Sequence, residues 1–413
     1  LAPLRPLPAR PDFPKLEEEV LERWRERDVF HESVRRRQGA EPYVFYEGPP
    51  TANGLPGSHH VLARVFKDIF PRYQTMRGRY VERKGGWDCH GLPVEIAVEQ
   101  KLGFTSKDDI ERYGIAEFNQ QCRESVFEFL EDWNRLTERI GYWVDLDDAY
   151  RTLDPKYVES VWWALKTMWD RDLLYEGYKV VPYCARDGTA LSSHEVAQGY
   201  KDVEDPSVYV RFPIVRPAGI LRDGDTVLAW TTTPWTLLSN AALAVSPDLA
   251  YVRTEDGHVL AEARAEAVLG EGVKVVDRFH GRDMLGAGYD PPFDFIATEE
   301  FGPKGHTLVP GDFVSAEDGT GVVHTSISFG EDDFRIGLEQ GIPVVNPVKL
   351  DGTFEERMGP FAGRWVKEAD PDIVEALRAS GKLLSAEQFL HSYPHCWRCG
   401  TPLLYYAKPS WYI

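Results

Sequence analysis

The stretch from Tyr43 to Pro93, YVFYEGPPTANGLPGSHHVLARVFKDIFPRYQTMRGRYVERKGGWDCHGLP, decides how the rest of the chain is read. It opens with Tyr43-Val44-Phe45-Tyr46, a short apolar run of strand composition. Gly, Pro and Asn then crowd the segment from Gly48 to Pro56, which is loop chemistry. Leu62, Val65, Phe66, Ile69, Tyr73 and Met76 follow at steps of three and four, predicting a helix that carries them on one face. Pro71 lies inside that helix, and Gly78 is suited to end it. Tyr80 to Arg83 reads as a second strand leading into the loop Gly85-Gly86-Trp87-Asp88-Cys89-His90-Gly91. Strand, glycine loop, helix, strand is the βαβ unit of a nucleotide-binding sheet, where ligands sit at strand ends. Free N–H groups at the start of the helix suit a phosphate.

Composition sets the frame around this unit. With 413 residues, the chain has room for two or three domains of roughly 150 residues each. Its 43% hydrophobic and 27% charged residues are ordinary for a soluble globular protein. No apolar run is long enough for a membrane-spanning helix, so no membrane partner is expected. A net charge of −19 argues against non-specific coating of nucleic acid. It leaves open a folded RNA read by shape and local basic patches. Five cysteines do not make a disulfide framework in a chain this long, and three group by spacing. That pattern suggests a metal and a reducing cytoplasm. The leading LAPLRPLPARPDFP lacks an apolar signal core and an initiator Met, and reads as an extended Pro-rich lead-in.

Taken in order, Lys15 to Phe30 is an amphipathic helix with Leu16, Val20, Leu21, Trp24 and Val29 on its apolar side. Beyond Pro93 the pattern is helical to Leu102. A long helix then carries Phe118, Cys122, Val126, Phe129, Trp133, Leu136 and Ile140. Cys122 on that face reads as a small core residue rather than a nucleophile. Asp154-Pro155 has the form of an N-cap followed by Pro at the first helical position. Trp162, Trp163 and Trp169 on the helix after it could stack bases, but packing is the preferred reading. Lys179 to Cys184 reads as a strand. From about Lys201 to about residue 390 the text turns to short β-rich runs and turns, a separate and mostly β domain.

Three constellations could carry chemistry. Cys396-Trp397-Arg398-Cys399 is a C-x-x-C pair able to hold zinc, with Cys184 far upstream as a third thiolate. Asp187 is the expected fourth ligand, with His391 or His395 as substitutes and buried, metal-free cysteines as the bland alternative. If one ion joins these residues, the domain between them is an insertion with neighbouring ends. Trp230-Thr231-Thr232-Thr233-Pro234-Trp235-Thr236 ends an apolar run, so its hydroxyls could line a polar pocket or simply belong to a β-strand. Glu331-Asp332-Asp333 is, taken alone, a solvated acidic face.

Read together, YEGPPTANGLP, KDIFPRYQTMRG and GWDCHGLPVE resemble the class I aminoacyl-tRNA synthetases, and within them the isoleucyl family. The resemblance runs through nearly the whole chain. It implies an α/β fold: the first half of a Rossmann-type parallel sheet interrupted by a mostly β editing domain. The implied boundaries are residues 1–42 as an N-terminal extension, 43–200 as the half-Rossmann domain, 201–389 as the editing domain and 390–413 as the return segment. It also implies ATP with Mg²⁺, isoleucine and tRNA(Ile) as substrates and partners, a monomer, and a cytoplasmic ligase. Ser58 and His60 would contact ATP; Gly48, Pro49 and Asp88 would bind isoleucine, Asp88 through its ammonium group. Thr231, Thr232, Thr233, His324 and Asp333 would form the editing site, with Asp333 holding the ammonium of the misattached amino acid. Cys184, Asp187, Cys396 and Cys399 would hold zinc.

Two departures qualify this pattern. The family has His-x-Gly-His after the proline matching Pro56, and this chain reads Gly57-Ser58-His59-His60. The phosphate-contacting imidazole is missing at Gly57, and His59 enters the space kept for adenine, so no measurable isoleucine-dependent pyrophosphate exchange is expected from this chain alone. Ser326-Ile327-Ser328 stands where the family has Ala-Pro-Ala, which predicts a reshaped editing-pocket wall. Neither Lys-Met-Ser-Lys-Ser nor a helical anticodon-binding region is present, so the reading is an amino-terminal portion of such an enzyme. The rivals are a stand-alone hydrolase of mischarged tRNA and a non-catalytic tRNA- or protein-binding relative.

Overall fold

A computed structural model of the chain describes residues 10 to 413. Most of the Pro-rich lead-in, residues 1 to 9, lies outside them. The chain divides into two compact units, Leu1–Leu173 and Leu174–Ile413. The division falls some way before residue 200, where composition changes.

In the first unit a parallel sheet orders the strands Phe45–Tyr46, Arg83–Trp87 and Asp145–Arg151. The helix Ser58–Met76 joins the first two strands. The middle strand thus runs through Gly85 and Gly86, which the sequence suggested were a loop. The glycines belong there because the third strand approaches closely. A Cβ at Gly85 would stand 2.6 Å from the Asp145 carbonyl oxygen, and one at Gly86 would stand 2.4 Å from the Tyr150 ring. Any larger residue would push the sheet apart.

The Ser58–Met76 helix forms as expected, with Pro71 inside it, but its apolar stripe faces outward. Leu62, Phe66, Ile69 and Met76 are all more than half exposed. The inner face is polar instead. Arg64 lies over the Trp133 ring at 4.8 Å, and Thr75 accepts a 2.6 Å hydrogen bond from the buried Arg83. Trp162 and Trp163 are likewise exposed, at 66% and 72%, on a helix, Pro155–Trp169, with no buried residue. The packing expected of them is therefore not what the structure shows. The expected long helix breaks into Ile115–Ser125 and Leu130–Arg139. The break lets the Phe129 N–H reach the Ala52 carbonyl at 3.1 Å, which ties it to the loop after the first strand.

The second unit is mostly β. Its ten-stranded mixed sheet runs through the strands Val275–His280, Ala250–Thr254, His258–Ala261, Thr226–Thr231, Val322–Thr325, Ala242–Val245 and Leu308–Pro310. The long strand Tyr200–Arg216 pairs with Thr226–Thr231 on one side and Leu383–Pro394 on the other. Tyr200 stands opposite Pro394, so entry to and exit from this segment lie side by side. A smaller antiparallel sheet joins Tyr175–Cys184 to Leu404–Tyr412 and to Thr189–Ala190. A continuous core of Val208, Val210, Phe212, Val227, Leu237, Leu243 and many others runs through the unit, with two smaller apolar clusters beside it. Each buried aliphatic side chain contributes roughly 1.5–3 kcal/mol.

Candidate functional site

Three groups of predicted residues can be followed to their places, each within one unit. In the first unit the strand ends converge. The half-buried Asp88 follows the middle strand, and its N–H donates to the Pro50 carbonyl at 2.9 Å. That bond joins the Gly48-Pro49-Pro50 loop to the Asp88 loop. Lys67 Nζ donates to the Gly48 carbonyl and to Glu47 Oε1, both at 2.7 Å. Tyr142 hydrogen-bonds the other oxygen of this buried carboxylate. Lys67 thus ties Gly48 to a braced Glu47, and the Pro50 bond ties Asp88 to the same loop.

At the start of the next helix, His60 Nδ1 accepts a hydrogen bond from the Gly57 N–H at 2.8 Å. Its imidazole caps its own helix. Burial first, then His59 and Arg64, lower its pKa, which favours the neutral ring that this bond requires. Ser58 is exposed at the first helical position. The His59 ring lies against His60, centroids 3.8 Å apart, and comes within 3.0 Å of the place a Cβ at Gly57 would take.

In the second unit the Thr string and the acidic segment meet in one bonded network. Thr231 Oγ1 and Thr233 Oγ1 lie 3.2 Å apart, and Thr233 Oγ1 is 3.2 Å from Thr236 Oγ1. Thr236 Oγ1 is 3.0 Å from His324 Nε2, and Asn240 Nδ2 is 2.7 Å from His324 Nδ1. The Tyr289 hydroxyl donates to Asn240 Oδ1 at 2.7 Å. The acidic segment joins through Ser326, whose N–H donates to Asp333 Oδ2 at 3.0 Å. Ser326 Oγ in turn lies 2.8 Å from Ser239 Oγ, whose hydroxyl donates to the Thr236 carbonyl at 3.2 Å. Thr231, Thr233, His324 and Asp333 are thus brought together, while Thr232 stands half-buried between its neighbours.

Sequence reasoning did not single out Thr236, Ser239, Asn240 or Tyr289. Thr236 stood in the quoted string, but Asn240 and Tyr289 belong to no local pattern, since their bond spans 49 positions. Of the two serines of Ser326-Ile327-Ser328, the first joins the network, and the second donates its hydroxyl to the Val345 carbonyl at 2.8 Å. Ile327 turns into the core, where a Cβ at Gly337 would come within 2.7 Å of its side chain.

Burial shapes the charges here. It drives His324 down to about 3, so the ring is neutral. It pushes Asp333 up to about 7, although the Ser326 N–H favours the ionised form. Asp333 sits in the first turn of the helix Glu331–Gln340, where the helix dipole also favours an anion. A carboxylate with one N–H donor keeps lone pairs that could accept from an ammonium group.

A further carboxyl supports the Thr string from beneath. The buried Asp370 accepts the Trp235 N–H at 2.8 Å, and burial pushes it up to about 8. Because this is above the ordinary 3.8, the folded chain binds the proton more tightly than the unfolded one. Its contribution to stability is therefore greatest at low pH and declines as pH rises through about 8. Asp370→Asn, which keeps an oxygen for Trp235, is expected to raise the melting temperature more at about pH 9 than at about pH 5. Equal shifts at the two pH values in thermal melts would count against this assignment.

The third group is the sulfur cluster. One ligand atom from each of Cys184, Asp187, Cys396 and Cys399 lies within 4.8 Å of the others. Cys184 Sγ is 3.5 Å from Cys399 Sγ, and Cys396 Sγ is 3.3 Å from Asp187 Oδ2. Metal–sulfur bonds of ~2.3 Å in a tetrahedron give edges of ~3.8 Å, close to these separations. Arg186 Nη1 donates to Asp187 Oδ1 at 2.9 Å and leaves Oδ2 for a metal. His391 instead pairs with Asp205 at 3.1 Å, and His395 Nδ1 bonds the Tyr393 carbonyl, so both histidine alternatives point elsewhere.

Comparison with known proteins identifies the family of the chain. The family model for class I tRNA synthetases (I, L, M and V) matches residues 19–413. The chain belongs to that family and has its α/β fold, with a parallel sheet and a β-rich second unit. It is 54% identical over 415 residues to an isoleucine–tRNA ligase of Thermobifida fusca, covering 100% of this chain and 39% of that one. It is 52% identical to the isoleucine–tRNA ligase of Thermus thermophilus, covering 98% of this chain and 38% of that one. The chain therefore spans about two fifths of the length of these relatives. A solved LeuRS–tRNA–LeuAMS ternary complex from Agrobacterium radiobacter aligns with 94% of this chain and 48% of its own, at 17% identity and a TM-score of 0.34. Among the described residues, no helix is long and apolar enough to cross a membrane.

Proposed function

We propose that this chain is part of an isoleucine–tRNA ligase, and that its second unit hydrolyses valine wrongly esterified to tRNA(Ile). The observation that carries the reading is the bonded network joining Thr231, Thr233, His324 and Asp333. The relatives' names supply the substrate class. Editing answers a physical need, because one methylene gives only about 1–3 kcal/mol of discrimination in an apolar pocket.

In this mechanism the ionised Asp333 holds the valine ammonium and sets the ester carbonyl beside the Thr231 and Thr233 hydroxyls. A water held there forms a bond to the carbonyl carbon. The bond from that carbon to the ribose oxygen breaks, and the ribose oxygen leaves with a proton. Valine and uncharged tRNA are the products. No protein nucleophile is required, because an aminoacyl ester is already activated and positioning supplies much of the rate. Isoleucine is refused by size at the wall formed near His324 and Ser326.

The first unit contributes the rim for isoleucine and ATP with Mg²⁺: Gly48, Pro49 and Asp88 for the amino acid, Ser58 and His60 for the nucleotide. Cys184, Asp187, Cys396 and Cys399 fit zinc, which would cross-link the chain on either side of the long β segment. The experiment for the hydrolytic reading is deacylation of valyl-tRNA(Ile) beside isoleucyl-tRNA(Ile) by the purified chain. Faster loss of valine is expected, and equal rates would remove the specificity claim.

A further inference from the structure

We propose that Tyr289 is a positioning residue of the hydrolytic site: acting through Asn240 and His324, it helps order a one-way chain of hydrogen bonds. That chain leaves the Thr231 and Thr233 hydroxyls facing solvent as acceptors for a donor group. The inference rests on the hydrolytic reading of this site, and its direction follows from groups that have no choice.

The Ala242 carbonyl can only accept, and Asn240 Nδ2 lies 3.2 Å from it. This identifies the nitrogen side of the amide without reference to the histidine. The second Nδ2 hydrogen points at His324 Nδ1, 2.7 Å away, so Nδ1 is bare. On the other side Asn240 Oδ1 can only accept, so the Tyr289 hydroxyl donates to it over 2.7 Å. A neutral ring with a bare Nδ1 carries its hydrogen on Nε2 and donates to Thr236 Oγ1 at 3.0 Å. Thr236 gives its own hydrogen to the Thr233 carbonyl at 2.8 Å. The Thr233 hydroxyl therefore donates to Thr236 Oγ1 across 3.2 Å. Thr231 Oγ1 accepts the Thr233 N–H at 3.1 Å and spends its hydrogen on Thr233 Oγ1 at 3.2 Å.

Every hydroxyl hydrogen is now committed, and both outer oxygens keep a lone pair. Tyr289, Asn240, Thr236 and His324 are buried, whereas Thr231 and Thr233 are half-buried, so the chain runs from the core to the surface. Such a face repels phosphate and accepts an ammonium, a ribose hydroxyl or a water. Tyr289 matters because it is the donor given to Asn240 Oδ1. Without it that buried oxygen is orphaned, and the amide gains from turning away from His324.

The test uses the whole chain labelled with ¹⁵N-histidine, His324 being identified by the signal lost in His324→Gln. The expected spectrum shows a bare Nδ1 and a protonated Nε2, unchanged between about pH 5 and about pH 8. A protonated Nδ1, or a ring that titrates in that interval, overturns the proposal. Tyr289→Phe is expected to mix the two tautomers and lower kcat for valyl-tRNA(Ile) deacylation by about tenfold. A wild-type tautomer together with a wild-type rate in that variant also overturns it. If Tyr289→Phe fails to fold, Thr236→Val beside Thr236→Ser replaces it: Val is expected to lose the rate and Ser to restore it, and equal rates refute the relay. In Thr233→Val, a fall in kcat alone identifies the donor as water, and a rise in KM identifies a substrate group. Should the wild-type chain not deacylate at all, the hydrolytic reading fails, while the ¹⁵N spectrum still decides the relay.

Discussion

Asp333→Ala is expected to slow deacylation of valyl-tRNA(Ile) by roughly tenfold to a hundredfold, the loss of a charge-assisted hydrogen bond worth about 1.5–3 kcal/mol. The pH profile carries the same information independently. The wild-type carboxyl is pushed up to about 7 by burial, and only its ionised form holds an ammonium. The wild-type kcat/KM should therefore show, as pH passes through about 7, a rise that the variant lacks. Measuring both proteins from acid to mildly alkaline pH decides the matter. An unimpaired variant would take Asp333 out of the mechanism.

The second large effect concerns the metal. Protein purified without added metal is expected to carry about one zinc per chain, and Cys396→Ser well under half of that. Structural zinc sites contribute folding energy directly, with apparent values of about 10–16 kcal/mol in small finger peptides. Losing the ion should therefore loosen the sheet that joins Tyr175–Cys184 to Leu404–Tyr412, since Cys184 ends the first strand and Cys396 and Cys399 precede the second. Elemental analysis and a thermal melt with and without chelator are the measurements. Wild-type protein with little zinc, and a melt indifferent to both chelator and mutation, would exclude the site.

Where local chemistry dictated structure, the sequence was readable. The Ser58–Met76 helix followed from its spacing, and the cysteines met because C-x-x-C already positions two of them. The misread parts depend on contacts that no local pattern records. Gly85-Gly86 signals a turn in isolation, yet the nearness of Asp145 and Tyr150 makes it a strand. The 115–139 helices separate because the Phe129 N–H bonds Ala52, far away in sequence. Helical spacing showed that Leu62, Phe66 and Ile69 share a face, but spacing does not say which way a face turns, and this one is exposed. In the network proposed to be hydrolytic, motif text reached Thr231, Thr233, His324 and Asp333. Tyr289 was invisible because it works through two intermediates.

The side-by-side pairing of Tyr200–Arg216 with Leu383–Pro394 also bears on how the chain folds during synthesis. One edge of the long strand can be covered soon after it is made, since its partner Thr226–Thr231 follows closely. The other edge waits for Leu383–Pro394, which at ribosomal speed arrives on the order of ten to thirty seconds later. For that interval Val208 and Val210 sit on a strand with one open side, able to pair with a neighbouring nascent chain. The latest-made strand of the ten-stranded sheet thus closes its most vulnerable edge, so slowing translation between residues 216 and 383 should increase aggregation more than an equal pause after residue 394.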